Sequence, residues 1–264
     1  METTGEIVAR LMRDGTGIHR EVHGLGSTIL LTHGFGATCR MWDEQIEEFT
    51  DRHRLILWDL PGHGESEAPA RCEAPRQALS QAALVKDMLA ILDSEDAGRA
   101  VLIGLGIGGT LSLRFWRANP RRVRGLVLLG TMPGLRSGTA REIWNGQVSQ
   151  LAAALDRDGL DALEGGAEVD PRVHSDPRAL ADAARALLIQ TDDGTLPWLA
   201  EIDVPVLILV GSEDKPNLTA AEYMGRIIPR SRKVVVSRAN HAANIHKPDA
   251  VNAIIREFLG RLPK

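Results

Sequence analysis

Ala100-Val101-Leu102-Ile103-Gly104-Leu105-Gly106-Ile107-Gly108-Gly109-Thr110 is an apolar run that breaks into glycines and then resumes as a helical stretch reaching Ala118. Short runs of Val, Ile and Leu bounded by Gly or Pro suit parallel strands covered on both faces. The stretch therefore predicts a strand over Ala100–Ile103, a sharp turn at Gly106 and a helix over Thr110–Ala118. Runs of the same kind stand at Thr28–Thr32, Arg54–Asp59, Val123–Leu129, Val204–Val210 and Lys233–Val236. Helical stripes alternate with them. In Arg76–Leu92, residues Leu84, Met88, Ile91 and Leu92 share one face, and Val251, Ile254, Ile255, Phe258 and Leu259 do the same near the C-terminus. Strand-helix alternation of this kind implies an α/β class with a doubly wound parallel sheet. Ahead of it, Glu6–Met12 and Ile18–His23 flank the turn dipeptide Asp14-Gly15 and read as a hairpin, with Thr16-Gly17 making the loop longer than two residues.

One segment interrupts the alternation. From Met132 to about Leu199 no strand is legible; the text is Ala-rich and helical, as in Leu151–Leu155 and Ala179–Leu188, with Pro133-Gly134 and Pro197 at its edges. It reads as a helical lid over residues 132–199, inserted after the sixth strand of a core domain made of residues 1–131 and 200–264. No internal repeat or low-complexity tract is present.

Composition excludes several classes of function. Of the 264 residues 44% are hydrophobic and 25% charged, which is ordinary for a globular chain, and the net charge of −4 supplies no field for nucleic acid or an anionic membrane. No apolar run approaches the roughly 20 residues of a membrane span. Met1–Glu6 lacks the basic stretch and apolar run of a signal peptide. Cys39 and Cys72 form neither a disulfide framework nor a metal-ligand cluster, so a cytoplasmic location is expected, with no metal and no cofactor. The expected partner is a small-molecule substrate; oligomeric state is not legible.

The chemistry-bearing motifs sit at strand ends, where open α/β sheets bind ligands. They are His33-Gly34-Phe35-Gly36, Asp59-Leu60-Pro61-Gly62-His63-Gly64-Glu65-Ser66, Gly104–Gly109, Gly211-Ser212-Glu213-Asp214 and Asn240-His241. In this order and spacing they resemble the α/β-hydrolase superfamily, in its small bacterial esterase and lactonase branch, over Ile29 to Phe258. The resemblance implies an α/β-hydrolase fold: a mostly parallel central sheet flanked by helices, with the lid after the sixth strand. It implies a hydrolase of small carboxylic esters or lactones with a Ser-His-Asp type mechanism. The family elbow reads G-x-S-x-G, with the nucleophile on a strained strand-to-helix turn, and the matching position here is Gly106. The serine is absent. The resemblance makes Asp214 the acid, His241 the base, and the backbone N–H groups of Phe35 and Ile107 the oxyanion hole, where one lost donor costs about 2.7–4 kcal/mol. Phe35, Met132 and Trp144 are candidate substrate contacts, with Leu135 and Trp198 as further wall residues.

Each assignment has a plainer counterpart. Gly106 relieves elbow strain of about 1–3 kcal/mol, and Gly104 and Gly108 serve close packing. Asp214 could cap the following helix, and its neighbour Glu213 could be the acid instead. Some family members place the acid one strand earlier, but that position falls near Thr131, which cannot serve. His19, His23, His53 and His174 read as surface or loop residues. His33 and His63 read as loop-holding residues, and His246 as a neutral change before Pro248 at a helix start. Gly104-x-Gly106-x-x-Gly109 also fits a dinucleotide fingerprint, although it sits in mid-chain and no acid ends the next strand. Three readings of the glycine remain open. The chain is a hydrolase in a nucleophile-deficient form, a cofactor-free enzyme using His241 and Asp214 as a base on water or a C–H, or a ligand-binding protein on the same scaffold.

Overall fold

A computed structural model describes residues 7–69, 78–163 and 169–263. Met1–Glu6 and Cys72 lie outside them, as do the first two residues of the predicted helix at Arg76 and the start of the predicted hairpin at Glu6. Eight strands form one sheet: β1 (Ile7–Arg13), β2 (Thr16–His23), β3 (Ser27–Thr32), β4 (His53–Trp58), β5 (Ala100–Leu105), β6 (Val123–Leu129), β7 (Val206–Gly211) and β8 (Ser231–Val236). Their order is β1-β2-β4-β3-β5-β6-β7-β8. β2 runs antiparallel to both β1 and β4, and the pairings from β4 through β8 are parallel. The hairpin loop is shorter than the sequence suggested. Thr16 pairs with Arg13, so the turn is Asp14-Gly15 alone, both at positive φ. That conformation suits a two-residue turn whose twist matches the strands.

Helices cover both faces. Leu30, Ile56, Leu102, Leu126, Leu128 and Ile208 point to one side, against Leu84 and Met88 of α2 (Gln81–Ser94) and Leu111 and Phe115 of α3 (Ile107–Ala118). Ile29, Leu31, Leu55, Leu57, Val127 and Leu209 point to the other. There they meet Phe49 of α1 (Asp43–Phe49) and Val251 and Ile255 of the last long helix. A fully buried aliphatic side chain contributes about 1.5–3 kcal/mol, and the central strand β5 is buried along its whole length. The lid segment holds α4 (Gly138–Asp158) and α5 (Pro177–Leu187), with no strand among the described residues. The two helices share a small apolar cluster of Val148, Ala152, Leu155, Leu180 and Ala184. α6 (Lys215–Ile227), α7 (Ala243–His246) and α8 (Pro248–Gly260) complete the chain.

Helix α3 begins three residues earlier than its sequence suggests, taking in Gly108 and Gly109. Glycine is a poor helix former, but here close approach decides. A Cβ on Gly108 would run into the Thr32 carbonyl of β3, and one on Gly109 into the Thr131 hydroxyl. Gly104 lies equally close to the backbone of Gly108 and Gly109. The helix therefore crosses the sheet with almost no side-chain layer between.

One buried acid carries a pH signature. Asp87 of α2 is fully buried and meets the Arg13 guanidinium of the hairpin. Burial pushes its carboxyl up to about 7, although Arg13 pulls it down. The folded chain then holds a proton that the unfolded chain, with an aspartate near 3.9, has lost. Stability should fall as pH rises across that window, by at most about 1.4 kcal/mol per pH unit. Asp87→Asn removes this slope. In urea denaturation at pH 5 and pH 8, the variant should gain on the parent at the higher pH; an equal difference at both would show an ionised native carboxylate.

Candidate active site

Gly106 joins β5 to α3 at φ 55° and ψ −115°, a region that favours glycine. Its N–H donates to the Leu129 carbonyl at 2.9 Å, which ties the turn to β6. A Cβ built at Gly106 would lie 3.1 Å from His241 Nε2. The turn thus aims the position where the family carries its nucleophile at an imidazole nitrogen.

His241 stands in the loop between β8 and α7, and Asp214 in the loop between β7 and α6. Their side chains meet at 2.9 Å, Nδ1 to Oδ2. Asn217, one turn into α6, donates its side-chain amide to both Asp214 oxygens, at 2.9 and 3.0 Å. Burial disfavours the Asp214 carboxylate, but the hydrogen bond and charge of His241, with the Asn217 bonds, outweigh it and hold the carboxyl below its ordinary value. An ionised Asp214 accepting Nδ1–H puts the acceptor lone pair on Nε2, the nitrogen that faces Gly106. Asp214 also stands at the N-cap position of α6, with its carboxylate taken up by His241 and Asn217. Glu213 is exposed.

Two residues that sequence reasoning missed support the pair. Asn217 is one. The other is Gly130 at the end of β6, at positive φ, where a Cβ would lie 2.6 Å from His241 Nδ1 and 3.2 Å from Asp214 Oδ2. The glycine that closes the β6 run was the available signal. Thr131, beside it, donates its hydroxyl to Leu129 O at 3.0 Å. Behind the pair, Asn244 of α7 donates to Met41 O at 2.9 Å, anchoring the loop that carries His241.

Phe35 and Ile107 flank Gly106, and their backbone N–H groups find no protein acceptor among the described residues. A cavity of about 540 Å³ opens over them, lined by Phe35, Gly106, Ile107, Met132, Trp144, Asp214 and His241 together. These seven expected site residues therefore meet in one place. No serine or cysteine lines that cavity among the described residues. Two of the suggested wall residues do not belong to it. Trp198 stacks instead on Trp116, ring centroids 6.0 Å apart, and Leu135 is not part of the lining.

The histidines need correction. His174, read as a loop residue, is buried and bridges the lid to two core loops. Its Nδ1 accepts the Gly64 N–H at 3.0 Å and its Nε2 bonds the Gly36 carbonyl at 3.0 Å. Its ring lies 5.7 Å from that of His63, which in turn lies 5.2 Å from His33. Burial lowers all three below the usual imidazole value, His63 most, and favours their neutral form. His33 holds the loops as expected, accepting the Leu60 N–H at 2.8 Å and bonding Gly34 O at 2.6 Å.

His19 is buried as well. It joins Glu21 and Cys39, whose ligand atoms all fall within 4.8 Å of one another, so Cys39 does take part in a cluster that sequence spacing could not show. Glu21 accepts from His19 at 3.0 Å, from His23 at 3.1 Å and from the Cys39 thiol at 3.7 Å, and it also contacts the Arg40 guanidinium. Burial, reinforced by Asp59, pushes that thiol up, so it stays a protonated donor. The cluster functions as a satisfied carboxylate hub under the sheet edge.

With this geometry in hand, comparison with known proteins is informative. Residues 29–254 match the alpha/beta hydrolase family. A putative 2-succinyl-6-hydroxy-2,4-cyclohexadiene-1-carboxylate synthase from Bacillus subtilis (strain 168) is 30% identical over 253 residues, covering 88% of this chain and 89% of that protein. An esterase from Thermogutta terrifontis superposes with a TM-score of 0.80 at 27% identity, covering 97% of this chain and 98% of its own. The enol-lactonase from Burkholderia xenovorans LB400 does so with a TM-score of 0.77 at 25% identity, over 94% of this chain and 98% of that one. Fold, order of site-bearing loops and sequence agree: the chain belongs to the alpha/beta hydrolase family.

Proposed function

We propose that this chain binds a small carboxylic ester or lactone in the cavity over Gly106, as a hydrolase of the Ser-His-Asp type in a nucleophile-deficient form. The observation that carries the reading is the 3.1 Å between the Gly106 Cβ position and His241 Nε2, in a site whose acid, base and oxyanion donors are otherwise assembled. A substrate carbonyl oxygen would point at the Phe35 and Ile107 N–H groups, where fixed dipoles stabilise negative charge as it develops. His241 would act as general base through Nε2 while Asp214 holds the tautomer. Without a hydroxyl at position 106 no acyl-enzyme forms there, and the base can act only on water. Binding and the oxyanion hole alone leave roughly 10³–10⁴-fold over the uncatalysed rate when triad members are removed. Residues 132–199 would serve as the lid that walls the cavity through Met132 and Trp144. A cytoplasmic setting belongs to the same reading and is supported by the presence of only two cysteines.

A second reading has one observation in its favour. The Bacillus subtilis relative is named for a synthase rather than a hydrolase, and an ionised Asp214 paired with His241 is equally suited to removing a proton from a carbon acid. In that case the glycine would be no deficiency.

Gly106→Ser separates the two. Its hydroxyl would stand beside His241 Nε2, and hydrolysis of a p-nitrophenyl ester should rise by at least about 10³-fold over the parent, a small part of what a complete triad supplies. The change should cost about 1–3 kcal/mol in stability by returning strain to the turn, and adding His241→Ala should abolish the gain. A folded Gly106→Ser protein that hydrolyses the ester no faster than the parent would contradict the hydrolase reading and leave the carbon-acid one ahead.

A further inference from the structure

One cation in the cavity has no use in the reaction just described. Arg114 lines the same cavity as Gly106 and Thr110. The three are spaced four apart at the start of α3 and along it, so they form one stripe on its cavity-facing side. Helical rise puts the Arg114 Cα about 12 Å from that of Gly106. Helical side chains lean toward the N-terminus, which brings the guanidinium back toward Thr110 and the reacting end of the site.

Arg114 makes no ion pair or hydrogen bond with another described residue, and its Nε is buried without a partner. Its helical neighbour Arg117 is satisfied by Glu201, and Arg122 by Asp93. A part-buried guanidinium left unmatched is costly. The carboxylates of the cavity do not relieve it: Asp214 is engaged by His241 and Asn217, and Asp192 accepts the Gly194 N–H at 2.7 Å. Gln81, on the same cavity, has its side-chain oxygen buried without a partner, while its amide donates to Leu187 O at 2.6 Å. A ligand group that supplies negative charge would satisfy the guanidinium.

We propose that Arg114 forms an anion subsite of this cavity, and that the ligand is an ester or lactone carrying a carboxylate several bonds away from its acyl carbon. The planar fork of an arginine suits a carboxylate through two parallel hydrogen bonds. This rests on the reading of the cavity as an ester or lactone site, and it narrows the ligand to an anionic one.

Calorimetric titration of the full chain tests it, because glycine at position 106 spares the probe from rapid hydrolysis. Monomethyl adipate and dimethyl adipate share one ester and differ in a single remote charge. The monoester should bind roughly tenfold or more tightly than the diester, the factor expected of a hydrogen bond to a charged group, and added salt should narrow the gap. Arg114→Gln should bring the monoester down to the diester's affinity and leave the diester unchanged, with the same thermal unfolding as the parent. Arg114→Lys should keep part of the preference. Equal affinities in the parent, no binding of either probe, or an equal loss of both in Arg114→Gln would each overturn the proposal. The outcome is separable from that of the hydrolase reading. An Arg114-dependent preference beside an inactive Gly106→Ser variant would sink hydrolysis and keep the anion subsite, and the reverse pattern would do the opposite.

Discussion

The close crossing of α3 over β3 and β5 is the constraint on which the rest of the site depends. With no side chains at Gly104, Gly108 and Gly109, the helix backbone comes within contact of the Thr32 carbonyl and the Thr131 side chain. A chain that leaves a buried strand and enters a helix this near the sheet must reverse within one residue, and Gly106 takes the left-handed conformation that allows it. That turn sets the direction of the Ile107 N–H, places position 106 before His241, and projects Thr110 and Arg114 along the cavity. Packing density here is translated into the geometry of a reaction centre.

Around that turn the charges set the protonation of the Asp214–His241 pair. Asp214 is kept ionised by hydrogen bonds that outweigh its burial, and it claims one nitrogen of His241. Three nearby buried imidazoles, His33, His63 and His174, are driven toward the neutral form by desolvation, and His33 and His174 spend both nitrogens on loop backbone. His174 is the lid's contribution to this. By bonding Gly36 O and Gly64 N–H it joins the helical insertion to the loop that carries Phe35. Neutral histidines suit that task, since a proton on His174 Nδ1 would remove the acceptor that the Gly64 N–H requires.

Much of this was legible in the sequence because it rests on local signals. The apolar runs became the strands from β3 to β8 within two residues at either end, since a strand buried on both faces must be apolar throughout. Gly106, Asp214 and His241 could be placed because each follows a strand, and strand ends are where such sheets assemble their sites. What escaped depends on contacts between distant segments. The start of α3 was missed because glycine's poor helix propensity is overridden by tertiary approach. Asn217 and Gly130 act only through the pair they enclose, and nothing in their own neighbourhood announces it. Burial of His19 and His174 reflects the sheet edge and the lid closing over them, which no periodicity encodes. For Trp198, where core packing and a place in the cavity wall read equally well from sequence, the partner is Trp116 rather than the cavity.

The turn, the Asp214–His241 pair and the two N–H groups are proposed to form a preorganised acyl-transfer site without a nucleophile, and a crystal structure of the Gly106→Ser protein after exposure to diethyl p-nitrophenyl phosphate checks this. The expected result is a covalent phosphoryl group on the new serine, with its non-ester oxygen about 2.7–3.1 Å from the nitrogens of Phe35 and Ile107 and His241 still paired with Asp214. An unmodified serine, or an adduct whose oxygen turns away from those two nitrogens, would contradict it.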